Sequence, residues 1–214
     1  MSLGGGLLVG AVTVDLSAEA LDGIGPTWTI LVLLSSAAVF SGANYIVSNR
    51  GARHRKRCGE CVSQPDEEDE PGSGKAIAIG TAMDALPEAL VLGVTLAAGG
   101  SGYAVAAALG LGNVSQALSS TSGLHDADRS KRFIFMLWGG VAAAVVVVTV
   151  GSVLLLGSGG EAVVPWVEAS AAGVLLAMVT EAMLPEAFHK SPSFSGLLAA
   201  VGFCGFIVLA ASLG

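Results

Sequence analysis

Three apolar stretches of this chain carry carboxylates in a related pattern: Asp15-Leu16-Ser17-Ala18-Glu19-Ala20-Leu21, Asp84-Ala85-Leu86-Pro87-Glu88-Ala89-Leu90 and Glu181-Ala182-Met183-Leu184-Pro185-Glu186-Ala187. In each, an acid precedes a closing Glu-Ala pair. A charge inside a membrane-spanning segment costs at least about 2.5–3.5 kcal/mol on insertion scales, so such residues mark function by default. Asp84 and Glu88 stand four apart, which sets them on one helix face about a turn from each other, where both can reach one ion. Pro87 lacks an N–H and its ring displaces the carbonyl of Met83, so a kink with a free backbone oxygen is expected beside the acids. Pro185 repeats the device beside Glu186, releasing the carbonyl of Glu181. Broken helices at membrane depth line cavities. Oxygen ligands suit hard cations, and zinc, which favours imidazole or thiolate, also accepts carboxylate. No Lys or Arg falls within the apolar stretches and no His within their interiors. The acids must therefore be protonated, hydrogen-bonded, hydrated or metal-bound. A neutral polar patch, Gly110-Leu111-Gly112-Asn113-Val114-Ser115-Gln116-Ala117, reads equally as interhelical glue or as further ligands.

The elements that must hold these groups follow from composition. The chain has 214 residues, 53% hydrophobic and 13% charged, with a mean hydropathy of +0.73, against about 25% charged residues in soluble domains. Stretches long enough to span a bilayer, about 20 mostly apolar residues each, occur at 3–21, 28–48, 76–98, 103–124, 133–156, 163–188 and 194–213. The expected fold is all-α, a polytopic transmembrane helix bundle of about seven spans. It divides into a first pair of helices (1–48), a cytosolic polar and acidic loop (49–75) and a five-helix core carrying the acid site (76–214). The first stretch is the least regular, since Asp15 and Glu19 suit a re-entrant or interfacial piece as well as a span. It lacks the basic start of a signal peptide. Thirty glycines suit a bundle in lipid, where small side chains let backbones approach closely.

Charge assigns the topology. All ten Lys and Arg residues fall in 49–75, 125–132 and 189–193, on one side of the membrane if every stretch spans it. By the positive-inside rule that side, with the N-terminus, is cytosolic. A cell (inner) membrane, multi-pass location follows. The net charge of −7 owes much to Asp66-Glu67-Glu68-Asp69-Glu70, a solvated and disordered linker by composition. That acidity speaks against a nucleic-acid partner. His54 and Cys58-Gly59-Glu60-Cys61 offer three ligands, short of a four-coordinate zinc site unless a homodimer completes it. His125 and His189 read as surface residues, and Cys204 as a small hydrophobe in a span.

These residues resemble the ZIP family of divalent-metal transporters, its prokaryotic branch in particular. Asp84-Ala85-Leu86-Pro87-Glu88-Ala89 stands where the family has His-Asn-x-Pro-Glu-Gly, and Gly112-Asn113-Val114-Ser115-Gln116-Ala117 stands where that motif recurs about one helix later. The long polar loop before the first motif and the acidic segments at 15–21 and 181–187 are also similar. The family has eight spans, and this chain looks as though it lacks the first. Carried over by position, the ligands fall on Asp84 for His, Ala85 for Asn, Glu88 retained, Gly112 for His, Asn113, and Gln116 for Glu. A two-metal centre is thus reduced to one site. The resemblance implies a transporter whose substrate is a divalent cation, zinc first among manganese and iron. Its metal site would comprise Asp84, Glu88, Asn113 and Gln116; Asp15, Glu19, Glu181 and Glu186 stand as candidate helping carboxylates from the sequence itself, which the ZIP motif does not imply. The substituted positions leave two alternatives: a non-transporting relative with a regulatory or structural role, and a proton- or sodium-coupled carrier. With no nucleophile–base pair and no cofactor fingerprint, neither an enzyme nor an organic cofactor is expected.

Overall fold

The structure, a computed structural model, describes residues 2–49, 73–99, 102–126, 128–157, 160, 162–190 and 193–213. His54, Cys58, Cys61 and the acidic run 66–70 lie outside the described residues.

The described chain is all-α. Helix α1 (Ser2–Gly10) continues through a π-helical segment (Ala11–Leu16) into α2 (Ser17–Val47). After the acidic loop come α3 (Ser73–Ala97), α4 (Tyr103–Asp126), α5 (Lys131–Leu156) and α6 (Val164–Met178). A second π-helical segment (Val179–Met183) joins α6 to α7 (Leu184–Lys190), and α8 (Ser195–Leu213) closes the fold. Each stretch read as a span forms helix, and α3 takes in residues 73–75, which the sequence suggested would end the loop.

Helix α2 is two rods. At Gly25 the backbone leaves the helix with φ 75° and ψ 166°, a region essentially restricted to glycine. Pro26 follows, removing one N–H donor at the restart. Thr29 ties the two arms together, its hydroxyl donating to the carbonyls of Gly25 at 2.9 Å and Ala20 at 3.1 Å. The first span is therefore α1, its π segment and α2 up to Gly25. The remainder of α2 is the second.

Five described segments are long and apolar enough to cross a membrane: Ser2–Val47, which contains both rods, Ile77–Ala97, Lys131–Leu156, Val164–Met183 and Ser195–Ser212. Helix α4, with its polar patch, is not among them and is the least apolar of the long helices. Large apolar side chains face outward, as at Phe135 and Leu155, each 79% exposed. In water that exposure would be an aggregation surface, whereas a lipid-facing helix requires it. By length and composition this is an integral membrane protein.

Packing is strongest between α2 and α6, α1 and α8, and α3 and α5. Each pair meets at a glycine, as expected where apolar burial alone cannot drive helices together in lipid. A Cβ on Gly10 would lie 2.6 Å from the Cβ of Phe206 on α8, and one on Gly93 would lie 2.6 Å from the Cβ of Ser152 on α5. Gly173 of α6 presses on the Leu33 carbonyl and Ser36 hydroxyl of α2. The central core gathers Leu8, Val12 and Leu16 of the first span, Phe40 of α2, Val91 of α3, Val105 of α4, and Leu175 and Met178 of α6. Helix α6 thus runs through the middle of the molecule. At one end Trp28 and Trp166 meet with ring centroids 5.7 Å apart, and Gly23 abuts Pro165. The 22–27 connection and the start of α6 accordingly share an end of the bundle. Aromatic pairs of this kind suit the membrane–water interface.

Candidate cation site

Helix α3 positions the central acids. Asp84 and Glu88 are each only 3% exposed, so the four-residue spacing turns both carboxylates into the bundle. The helix passes through Pro87 as one continuous element, held on α5 by the Thr149 hydroxyl, which donates to the Ala89 carbonyl at 3.1 Å. Pro87 itself lines an apolar groove with Phe40 and Ala43 of α2 and Val174 of α6, on a different side from the Asp84 cavity.

That cavity, about 310 Å³, lies between α3, α4 and α5. Its polar lining is Thr81 and Asp84 of α3, Asn113 and Ser120 of α4, and Trp138 of α5, and its apolar wall includes Ala117 and Val141. Trp138 donates from Nε1 to Thr121 Oγ1 at 2.9 Å, fixing the indole and joining α4 to α5. Asp84 and Asn113 are therefore brought to one space, with hydroxyl oxygens beside them. Glu88 lies one turn along α3 and is buried without lining this cavity. The side chains of Gln116 and Glu186 lie outside the described residues.

Glu181 is placed elsewhere. It sits in the second π segment, where the Ser41 hydroxyl donates to Oε1 and Asn44 Nδ2 donates to Oε2 at 2.9 Å. Both partners come from α2, so this carboxylate is held at the α2–α6 contact rather than at the Asp84 cavity. Among the described residues no three His, Cys, Asp or Glu side chains converge into a group able to hold a metal ion.

The two π segments share a local feature. Thr13 donates to Val9 O at 2.8 Å and Gly10 O at 3.3 Å. Thr180 does the same to Leu176 O at 2.8 Å and Ala177 O at 3.1 Å. A hydroxyl that bonds back to the carbonyls three and four residues earlier competes with the backbone ladder, and at both places the ladder runs over five residues: Ser17 N–H to Val12 O, and Leu184 N–H to Val179 O. Pro185, lacking an N–H, reinforces the second shift. Each π segment contains an acid, Asp15 in one and Glu181 in the other. π-bulges are frequent at functional sites.

One residue that sequence reasoning passed over is Glu168. It lies on α6 just beyond the Val164 start, only 1% exposed, and neither of its carboxylate oxygens meets a hydrogen-bond partner. The cost of an intramembrane charge, which singled out the other acids, would have flagged it too.

Compared with protein-family models, characterised proteins and solved structures, the chain matches none.

Proposed function

We propose that this protein is a carrier of divalent cations in a cell's inner membrane, with zinc the first candidate substrate and manganese and iron beside it. Asp84 and Glu88 supply the charge that draws the ion in, and Asn113 supplies a neutral oxygen across the cavity. The observation that carries this reading is the burial of two carboxylates on one face of α3, with Asp84 and Asn113 opening onto the same space between α3, α4 and α5. Two buried acids on one helix face are an arrangement that a dication stabilises. The resemblance of residues 84–89 to the ZIP motif points the same way. Here Glu181 has a different task from the ion's direct coordination: bound by Ser41 and Asn44, it fastens α2 to α6 beside the π segment.

The test is uptake of zinc, manganese and iron into proteoliposomes, with titration calorimetry on the purified protein. Wild type should take up and bind at least one of these metals. Asp84→Asn and Glu88→Gln keep shape and remove a charge, so each should abolish uptake and high-affinity binding, and the double variant should lose little more, because ligands of one ion are not additive. Unchanged binding in both single variants would sink the proposal. Binding without uptake would assign the protein to the regulatory alternative.

A further inference from the structure

The charge on Glu168 has no counterpart in the proposal above. The side chain lies inside the bundle at the end that holds Trp28 and Trp166, and neither oxygen is hydrogen-bonded. The charged groups that act on it are Glu19 and Asp15, both on the first span. Gly23 abuts Pro165, which sets Glu19, one turn back along the first span, opposite Glu168 on α6. The other titratable groups on the elements packed against α6 are Asp22 and Tyr45 on α2, Lys75, Asp84 and Glu88 on α3, and Glu181 in the following π segment. Among the described residues no Lys, Arg or His bears on Glu168.

We propose that Glu168 and Glu19 form a proton-binding pair, entered from the end of the bundle that carries the 22–27 connection. An ionised carboxylate that is buried, unbonded and without a cation costs several kcal/mol, and the ordinary relief is to take up a proton. Two acids set near each other do not ionise together easily, so one proton suffices for the pair. A metal ion would want a third donor, and no such group of three converges among the described residues. The proton is the cation whose coordination two carboxyls complete.

The route in is legible along the first span. Asp15, Glu19 and Asp22 follow at intervals of four and three residues, the spacing of one helix face. Burial grades inward along the set: Asp22 and Glu19 are exposed, Asp15 is half-buried and Glu168 is sealed. Proton uptake is a simple transfer, in which hydronium gives up one O–H bond and a carboxylate oxygen gains it. This pair stands apart from the Asp84 cavity, and its existence does not depend on metal transport.

Two measurements on the full-length protein test it. Infrared difference spectra across a pH titration should contain a protonated-carboxyl C=O stretch that persists at neutral pH, fades as pH rises and is missing in Glu168→Gln. Dicyclohexylcarbodiimide, which adds to protonated carboxyls in apolar surroundings, should modify Glu168 at neutral pH, as mapped by peptide mass spectrometry, and less at alkaline pH. In Glu19→Gln the loss of the neighbouring acid should move both transitions to lower pH, a readout that survives if Glu168→Gln does not fold. Absence of both the band and the adduct at neutral pH would overturn the proposal. So would protection of Glu168 from the carbodiimide by manganese at constant pH, which would make it a metal ligand.

Discussion

The Thr29 hydroxyl reaches back nine residues, across the break at Gly25, to donate to the Ala20 carbonyl at 3.1 Å. It joins the end of the first span to the start of the second, and it is buried. Thr29→Val keeps the shape and leaves the Ala20 and Gly25 carbonyls without this donor. A loss of about 1–2 kcal/mol is expected from such a change, measurable as a lower unfolding midpoint in detergent micelles. Gly25→Ala, at a backbone angle that side chains resist, should destabilise by about 1–3 kcal/mol.

Gly173 and Gly139 make a matched pair for testing helix packing. A side chain at Gly173 meets the Leu33 carbonyl and the Ser36 hydroxyl, whereas nothing lies within 4 Å of a Cβ at Gly139. Gly173→Val should therefore part α2 from α6 at a cost of about 1–3 kcal/mol or more. Gly139→Ala should instead stabilise α5 by about 0.5–1 kcal/mol through helix propensity. Chemical unfolding of both variants in one detergent gives the comparison, and equal effects would remove the close α2–α6 approach as a determinant of stability.

Filling the Asp84 cavity tests the cation site without touching a charge. Ala117 lies on its α4 wall, and Ala117→Phe would occupy much of the space between Asp84 and Asn113. Zinc or manganese affinity should fall about tenfold or more, equivalent to ~1.4 kcal/mol, while helix content and the unfolding midpoint stay close to wild type. Full affinity in a well-folded variant would place the ion outside this cavity.

Orientation can be read with single cysteines in a background where Cys58, Cys61 and Cys204 are serine. Ala98 opens the α3–α4 turn, and Lys131 opens α5 beside the basic loop. An impermeant thiol reagent applied to intact cells should label Ala98→Cys and spare Lys131→Cys. The opposite pattern would invert the topology drawn from the Lys and Arg distribution.

Sequence and tertiary structure divide this protein along a physical line. The helices at 3–21, 28–48 and onward, their number, and the outward apolar faces are local properties: a run of apolar residues long enough for a bilayer has to satisfy its own backbone, and a helix is how a single segment does so. The shared face of Asp84 and Glu88 is local too, because helical geometry alone sets it. Other features depend on which helix meets which. Glu181 reads in sequence as a candidate metal carboxylate alongside Glu186, and its hydrogen bonds go to Ser41 and Asn44, 140 and 137 residues away. No spacing rule reaches that far. The π segments could not be read from hydropathy, since a shift from four-residue to five-residue backbone bonds leaves the apolar pattern unchanged. Glu168, one acid near the start of an apolar run, has the same local signature whether it points to water or inward. Only the packing of α6 between the first span and α3 decides that it is buried, and that it faces Glu19.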